Sequence, residues 1–304
     1  MITFRKRIFS SLIIILFSFI AASIQDSSSS SNLDIEQIKL HHLRFNEKIR
    51  HQEKLAELYY ENQIKERGFK SQLNTDIQLL GSNYPCLYGE NTIGQSSYIS
   101  IIDGHKYSCG INLIKEKPIV YSFGSDSRQD FEVSFLELRP DSQIFVYELD
   151  QSLMVPVNQR LNGISYNNYG LGYPHSIQRN DNGFIEHAKN LRNLTSLMQL
   201  NGHKYIDLIK LDIEGGEWDF IEKEGEVLKK VGQLLIEIHT NVPEKVFNEN
   251  AKDVVSLIKK LESFGLRIFH KEPNISNPVG IKCCSEFSLI QHDWLTWNHN
   301  KFNN

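Results

Sequence analysis

Ile206-Asp207-Leu208-Ile209-Lys210-Leu211-Asp212-Ile213-Glu214-Gly215-Gly216-Glu217-Trp218 is the run on which the reading of this chain turns. Its apolar residues read as a strand, yet Lys210, Asp212 and Glu214 share one parity. Three charges then occupy one face of a central element that a parallel sheet normally buries on both sides. Burying charge is costly unless it is paired or faces a site. A functional crevice is therefore expected here, with a structural ion-pair network as the competing reading.

The following apolar run, Leu234-Leu235-Ile236-Glu237-Ile238-His239, repeats the anomaly, with Glu237 and His239 on one side of the ladder. His239 titrates near neutrality and is a candidate general base; the plainer alternative is a histidine that caps and orders the loop. Upstream, Ile119-Val120-Tyr121-Ser122-Phe123-Gly124-Ser125-Asp126 runs into a glycine, where backbone can turn sharply and approach a ligand. About 25 residues on, Ile144-Phe145-Val146-Tyr147-Glu148-Leu149-Asp150 ends in acids placed to accept ribose hydroxyls, or else simply solvated. The spacing Gly-x-Gly-x-x-Gly is absent, which disfavours a nicotinamide or flavin oxidoreductase.

Seven β-rich runs can be counted: 118–122, 143–148, 163–166, 205–212, 232–239, 266–270 and 286–291. Helix-length spacers separate them at 131–138, 191–200, 218–230 and 251–264, the last with an apolar stripe at Val254, Val255, Leu257, Ile258 and Leu261 and a natural stop at Gly265. The alternation predicts an α/β fold with a seven-stranded, mostly parallel doubly wound sheet. In such sheets ligands bind at the carboxyl ends of the strands, where the unusual residues lie.

The run from Val120 to Asp150, the segment Lys210-Leu-Asp-Ile-Glu-Gly-Gly-Glu-Trp218 and Leu235-Ile-Glu-Ile-His239 together resemble the methyltransferase-like domain family, class I S-adenosylmethionine-dependent enzymes related to the FkbM-type methyltransferases. Asp103-Gly-His-Lys-Tyr-Ser-Cys109 and Cys283-Cys284-Ser-Glu-Phe-Ser-Leu289 extend the likeness to roughly residues 80–292. The resemblance implies that Phe123, Gly124 and Ser125 lie under the methionine portion of S-adenosylmethionine and that Glu148 or Asp150 takes the ribose. It implies that Asn167, Asn168 and Gly170 border the adenine, and that Asp212 and Glu214 face the transferred methyl and its acceptor. The chain departs from the usual pattern in carrying Ser122 and a single glycine, Gly124, around the first strand end.

Arg5-Lys6-Arg7 precede a nearly uncharged run from Ile8 to Ile24 rich in Ile, Leu and Phe, which reads as a targeting segment. Residues 1–25 are expected to be a signal anchor or a cleaved signal peptide, placing the rest in the secretory lumen (Golgi or ER) or outside the cell. A serine tract from Ser27 to Ser31 and a Glu-, Lys- and Gln-rich segment from Leu33 to Leu73 make 26–78 a linker and helical stem; that helix either dimerises as a coiled coil or lies solvated on the catalytic domain. Residues 79–304 then form the methyltransferase-like domain. The sequons at Asn193 and Asn274 and the four cysteines are compatible with the lumen; Cys86 and Cys109 can bridge, and Cys283 and Cys284 can each take another partner.

The net charge of −4 gives no basic stripe able to displace counterions from phosphate, so no nucleic-acid partner is expected. No zinc-type Cys-x-x-Cys spacing and no dedicated metal cage is evident, although Asp212, Glu214 and His239 could together collect a divalent ion. The leading expectation is an S-adenosylmethionine-dependent enzyme of the secretory pathway that methylates an oxygen of a glycan or small hydroxylated acceptor. Asp212, Glu214 and His239 would serve the acceptor, and Phe123, Gly124, Ser125, Glu148, Asp150 and Asn168 the cofactor. The alternative is a non-catalytic lumenal module that keeps the fold for binding or structure.

Overall fold

A computed structural model describes residues 44, 47–48, 51, 54, 82–94, 105–114, 117–172, 190–239, 251–273 and 284–300. Its main sheet contains β3 (Ile119–Phe123), β4 (Gln143–Tyr147), β5 (Ile164–Asn167), β8 (Ile206–Leu211), β9 (Val231–His239), β10 (Leu266–Pro273) and β11 (Cys284–Gln291). All seven lie on the runs read from the sequence. They are ordered β10-β11-β9-β8-β3-β4-β5. β3 pairs in parallel with β4 and β8, as do β4 with β5 and β8 with β9, whereas β11 is antiparallel to both neighbours. The chain moves outward from β3 to β5 on one side and resumes at β8 on the other. The strand order thus reverses between β3 and β8, and the crevice at such a reversal is where open α/β sheets bind ligands.

Both faces are covered, because successive strand residues point to opposite sides. Tyr121, Phe123, Ile209 and Leu211 enter a core with Leu194 and Leu197 of α2 (Leu194–Leu200), Phe220 and Ile221 of α3 (Glu217–Glu224), and Val254, Ile258 and Leu261 of α4 (Ala251–Ser263). Val120, Ile144, Val146 and Leu208 face the other way, onto Phe131 and Phe135 of α1 (Asp130–Leu138) and Trp294 of α5 (Trp294–Asn300). Ile93 and Cys109 join this second core from a hairpin of β1 (Glu90–Ile93) and β2 (Lys106–Cys109).

Several details depart from the sequence reading. The spacer 191–200 divides into a short strand, β7 (Leu191–Arg192), paired with β6 (Gly170–Leu171), and α2, whose cap Asn193 accepts from Ser196 N at 2.7 Å. The helix expected over 218–230 stops at Glu224 and tightens into a 3-10 segment over Gly225–Lys230. Gly225 packs so close to Phe264 that a Cβ there would lie 2.3 Å from the ring. Gly265 ends α4 at φ 94° as expected.

Cys86 and Cys109 form a disulfide, and Cys284 is disulfide-bonded as well. In the stem segment, the described residues 44, 47, 48, 51 and 54 are helical and exposed. The apolar run 8–24, the rest of the stem and the Asn274 sequon lie outside the described residues. Among the described residues no helix is long and apolar enough to cross a membrane.

Candidate functional site

The site is built where β3, β4, β8 and β9 end. After Phe123 the chain turns at Gly124, with φ 80°. A Cβ at Gly124 would lie 1.8 Å from the Asp212 carbonyl oxygen, so glycine is required there by the neighbouring strand end itself. Gly124 N donates to Tyr147 O (3.0 Å) and Asp212 N donates to Phe123 O (3.2 Å), lacing three strand ends together. The Phe123 ring is fully buried and stacked on Tyr147 at 4.8 Å; its backbone oxygen accepts from Asp212 N and Lys210 Nζ.

Beyond Gly124 the loop is held by Glu148. The Ser125 and Asp126 amides donate to Glu148 Oε2 at 2.9 and 3.3 Å, and the Asp150 amide donates to Oε1 at 3.0 Å. Asp126 and Ser127 sit at φ 45° and 61°, a left-handed pair that costs on the order of 1–3 kcal/mol each and persists only when surroundings enforce it. The Asp150 side chain caps the next turn by accepting from Ser152 N and Oγ, and Asn168 donates to the carbonyls of Glu148 and Leu149. The residues expected around the cofactor are therefore neighbours. Glu148 is buried at their centre, while Asp150 and Asn168 brace the loops on either side.

The other half of the site is charged. β8 ends at Leu211, and Asp212 and Glu214 follow it in the loop, which corrects the reading of three charges on one strand face. The parity argument fails because Glu214 adopts φ 57° and turns out to solvent, its side chain 66% exposed. Lys210 donates to the carbonyls of Phe123 and Gly124 and lies 3.7 Å from Asp212 Oδ2. Lys106, delivered by β2, reaches Glu286 and lies 4.0 Å from Asp212 Oδ2. Glu237 and His239 do share one side of β9, and Glu237 is hydrogen-bonded to Asp212.

These charges set one another's protonation. Burial and then the adjoining Asp212 push Glu237 up to about 8, so it keeps a proton. Burial alone would raise Asp212 as well, but Lys210, Lys106 and His239 outweigh it and hold Asp212 below the usual carboxylate range. Burial would lower His239, but its hydrogen bond to Glu217 and that carboxylate's charge hold it up at about 10. His239 Nδ1 lies 3.2 Å from Glu217 Oε1 and Nε2 lies 3.8 Å from Glu214 Oε1. At neutral pH this imidazole is cationic.

Glu217, Glu286 and Lys106 fall within the family motifs, but none of the three is singled out by the sequence as a site residue. Glu217 had a local signal, three residues after Glu214 in the same run. Lys106 had none, since its partner Glu286 is 180 positions away. It is brought in by the hairpin, which a reciprocal pair of Gln233 bonds to the Cys109 amide and carbonyl docks against β9, while the disulfide ties Cys109 to Cys86 in the preceding segment.

A family model described as a methyltransferase domain matches residues 39–291, a span that contains every one of these groups. The chain belongs to that family. The resemblance drawn from its motifs is thereby met, and the strand order above is the seven-stranded architecture that resemblance implied.

Among similar proteins are the probable methyltransferase-like protein 24 of Homo sapiens and that of Rattus norvegicus, each 37% identical over 95 residues. The match covers 29% of this chain and 26% of each relative, so only about a quarter of their length is shared. Solved structures with a related fold include M. capricolum TrmK in complex with S-adenosyl-homocysteine (11% identity, 60% of this chain, 65% of that one, TM-score 0.36). Another is the N-methyltransferase NodS from Bradyrhizobium japonicum (11%, 60%, 90%, TM-score 0.34).

Proposed function

We propose that this protein transfers a methyl group from S-adenosylmethionine to an oxygen of a glycan or another small hydroxylated acceptor. The carrying observation is the meeting, at the reversal of strand order, of a glycine-turned loop fastened by a buried carboxylate with a cluster rich in anionic groups. S-adenosylmethionine is a sulfonium cation, and carboxylates facing it favour its binding. Glu148 and the Gly124–Ser125 backbone would hold the ribose and methionine portions, with Asn168 and Asp150 keeping those loops in place and Asp212 beside the methyl. The cofactor supplies an electrophilic methyl group for in-line displacement, so the protein contributes alignment and a route for the acceptor's proton.

For that proton, the geometry favours Glu214 over His239. His239 is buried and already protonated at neutral pH, so it cannot accept another, whereas Glu214 is exposed beside it at 3.8 Å. His239 then acts by holding Glu214 and Asp212 in place with its positive charge. A secretory compartment accords with the basic-flanked apolar run at 8–24 and with a Cys86–Cys109 disulfide, a bond that persists in oxidising surroundings. Membrane anchorage through that run and pairing of two copies through the 33–73 helix belong to the same reading.

The test is calorimetric titration of the oxidised full chain with S-adenosylmethionine, beside Glu148→Gln and Glu214→Gln. Micromolar binding that is weakened by Glu148→Gln and retained by Glu214→Gln, with methyl transfer lost in the latter, is expected. A folded wild-type protein that binds no cofactor would instead be a non-catalytic module of the same fold.

A further inference from the structure

Asp212, Glu217 and His239 each present one ligand atom, and the three atoms lie within 4.8 Å of one another. They come from three separate places, the β8 end, the first turn of α3 and the end of β9. Glu217 is completely buried. Its Oε1 accepts from Ile213 N at 2.9 Å and faces His239 Nδ1, but its Oε2 is buried with no hydrogen-bond partner. An unmatched carboxylate oxygen in a fully buried position costs about 1–3 kcal/mol or more, and such an atom calls for a ligand. A second trio, Glu237, His239 and Cys284, is ruled out as a thiolate site because Cys284 is disulfide-bonded.

We infer that Asp212, Glu217 and His239 form a binding site for a divalent cation that takes mixed nitrogen and oxygen ligands, of the Mn²⁺ or Zn²⁺ type. One imidazole with two carboxylates is a donor set suited to those ions, and bonds of about 2.0–2.2 Å to a common ion span up to roughly 4.3 Å between ligands. Bringing the three atoms onto an ion therefore needs shifts of less than about one ångström. The ion replaces the proton of His239, which is released on binding, and its charge takes over the role of that proton between the carboxylates of Asp212 and Glu217, with Lys106 and Lys210 remaining on the far side of Asp212. Exposed Glu214, on the other side of His239, stands at the mouth of the site, where an acceptor oxygen can approach. This inference does not depend on the methyl-transfer reading, since the ion binds without the cofactor.

The experiment is titration of the full, disulfide-intact chain, freed of metal with a chelator, with Mn²⁺ alone, followed by calorimetry and by electron paramagnetic resonance. Binding in the micromolar range is expected, with a hyperfine coupling to one imidazole nitrogen. Glu217→Gln should weaken Mn²⁺ roughly 10–100-fold, whereas Glu226→Gln, on a distant exposed surface, should leave it unchanged. Zn²⁺ should compete with Mn²⁺ for the same site. Absence of micromolar binding, an equal affinity in Glu217→Gln, or bound Mn²⁺ with no nitrogen coupling would each overturn the assignment; the last holds even if the variant fails to fold. Cofactor titration of the same metal-free sample separates this result from the methyl-transfer reading.

Discussion

Glu148 at the end of β4 and Asp212 after β8 are two acids at neighbouring strand ends, and they are held in opposite ways. Glu148 receives three backbone amides, those of Ser125, Asp126 and Asp150. Asp212 sits among ionisable side chains: two lysines, a cationic His239 and a protonated Glu237 hydrogen-bonded to it. Amides are fixed dipoles whose arrangement does not change with pH, whereas a cluster of titrating groups can exchange its protons. The first half of the site is thus a rigid clasp, and the second is an electrostatic balance that a cation or a change of pH can tip.

The contrast breaks most severely at the point the two halves share. Gly124→Val would drive a side chain into the Asp212 carbonyl at φ 80°, and we expect a loss of at least about 4–5 kcal/mol, visible as aggregation or as a melting point many degrees lower by circular dichroism. Lys106→Met tests the charged half alone. It leaves Glu286 buried without that cation, and a cost of about 3–5 kcal/mol in urea unfolding is expected.

Glu237→Gln sharpens the comparison through pH. Glu237 is raised from 4.5 to about 8, so its contribution to stability is complete below about 4.5 and is lost as pH rises through 8. His239 is raised from 6.5 to about 10, so its contribution is complete below about 6.5 and is lost through 10. Metal-free wild type should therefore lose stability from pH 5 to 10. The wild type should be steepest between about pH 6.5 and 8, where both groups release protons; the variant should lose on the order of a few kcal/mol less between pH 5 and 8 and match the wild-type slope above 8, where only His239 contributes. Equal slopes below pH 8 in the two proteins would show that Glu237 does not hold the proton.

The smallest expected effect is that of Glu148→Gln, which keeps one carbonyl oxygen for the loop amides. A stability loss of about 1–3 kcal/mol is expected in urea unfolding, together with weaker S-adenosylmethionine binding.

The fold was legible because each central strand is a mostly apolar, β-rich run and the covering helices carry apolar stripes; Val254, Ile258 and Leu261 announce α4 without help from elsewhere. β6 and β7, two residues each, are too short to carry a periodicity, and at Gly170 the missing side chain leaves room for Leu149 and Leu191. Within the site, Glu237 and His239 were visible as interruptions of an apolar ladder. Glu214 was misplaced by one rule applied too far: strand parity ends where the strand ends, and a left-handed residue sends the side chain elsewhere. Lys106 could not be found from its neighbours in sequence, since what makes it functional is a carboxylate on β11.

That last contact also orders events during synthesis. Strand β11 lies between β9 and β10, and with it comes the carboxylate that Lys106 requires. At ribosomal rates of about 5–20 residues per second, the 180 residues between them take on the order of 10–40 s to emerge. Through that interval Lys106 has only the more distant Asp212 and Glu237 beside it, without the carboxylate that accepts its hydrogen bond, and the centre of the site is incomplete. A nascent chain halted before residue 284 should therefore leave Lys106 reactive toward amine-modifying reagents, and completion of β11 should protect it.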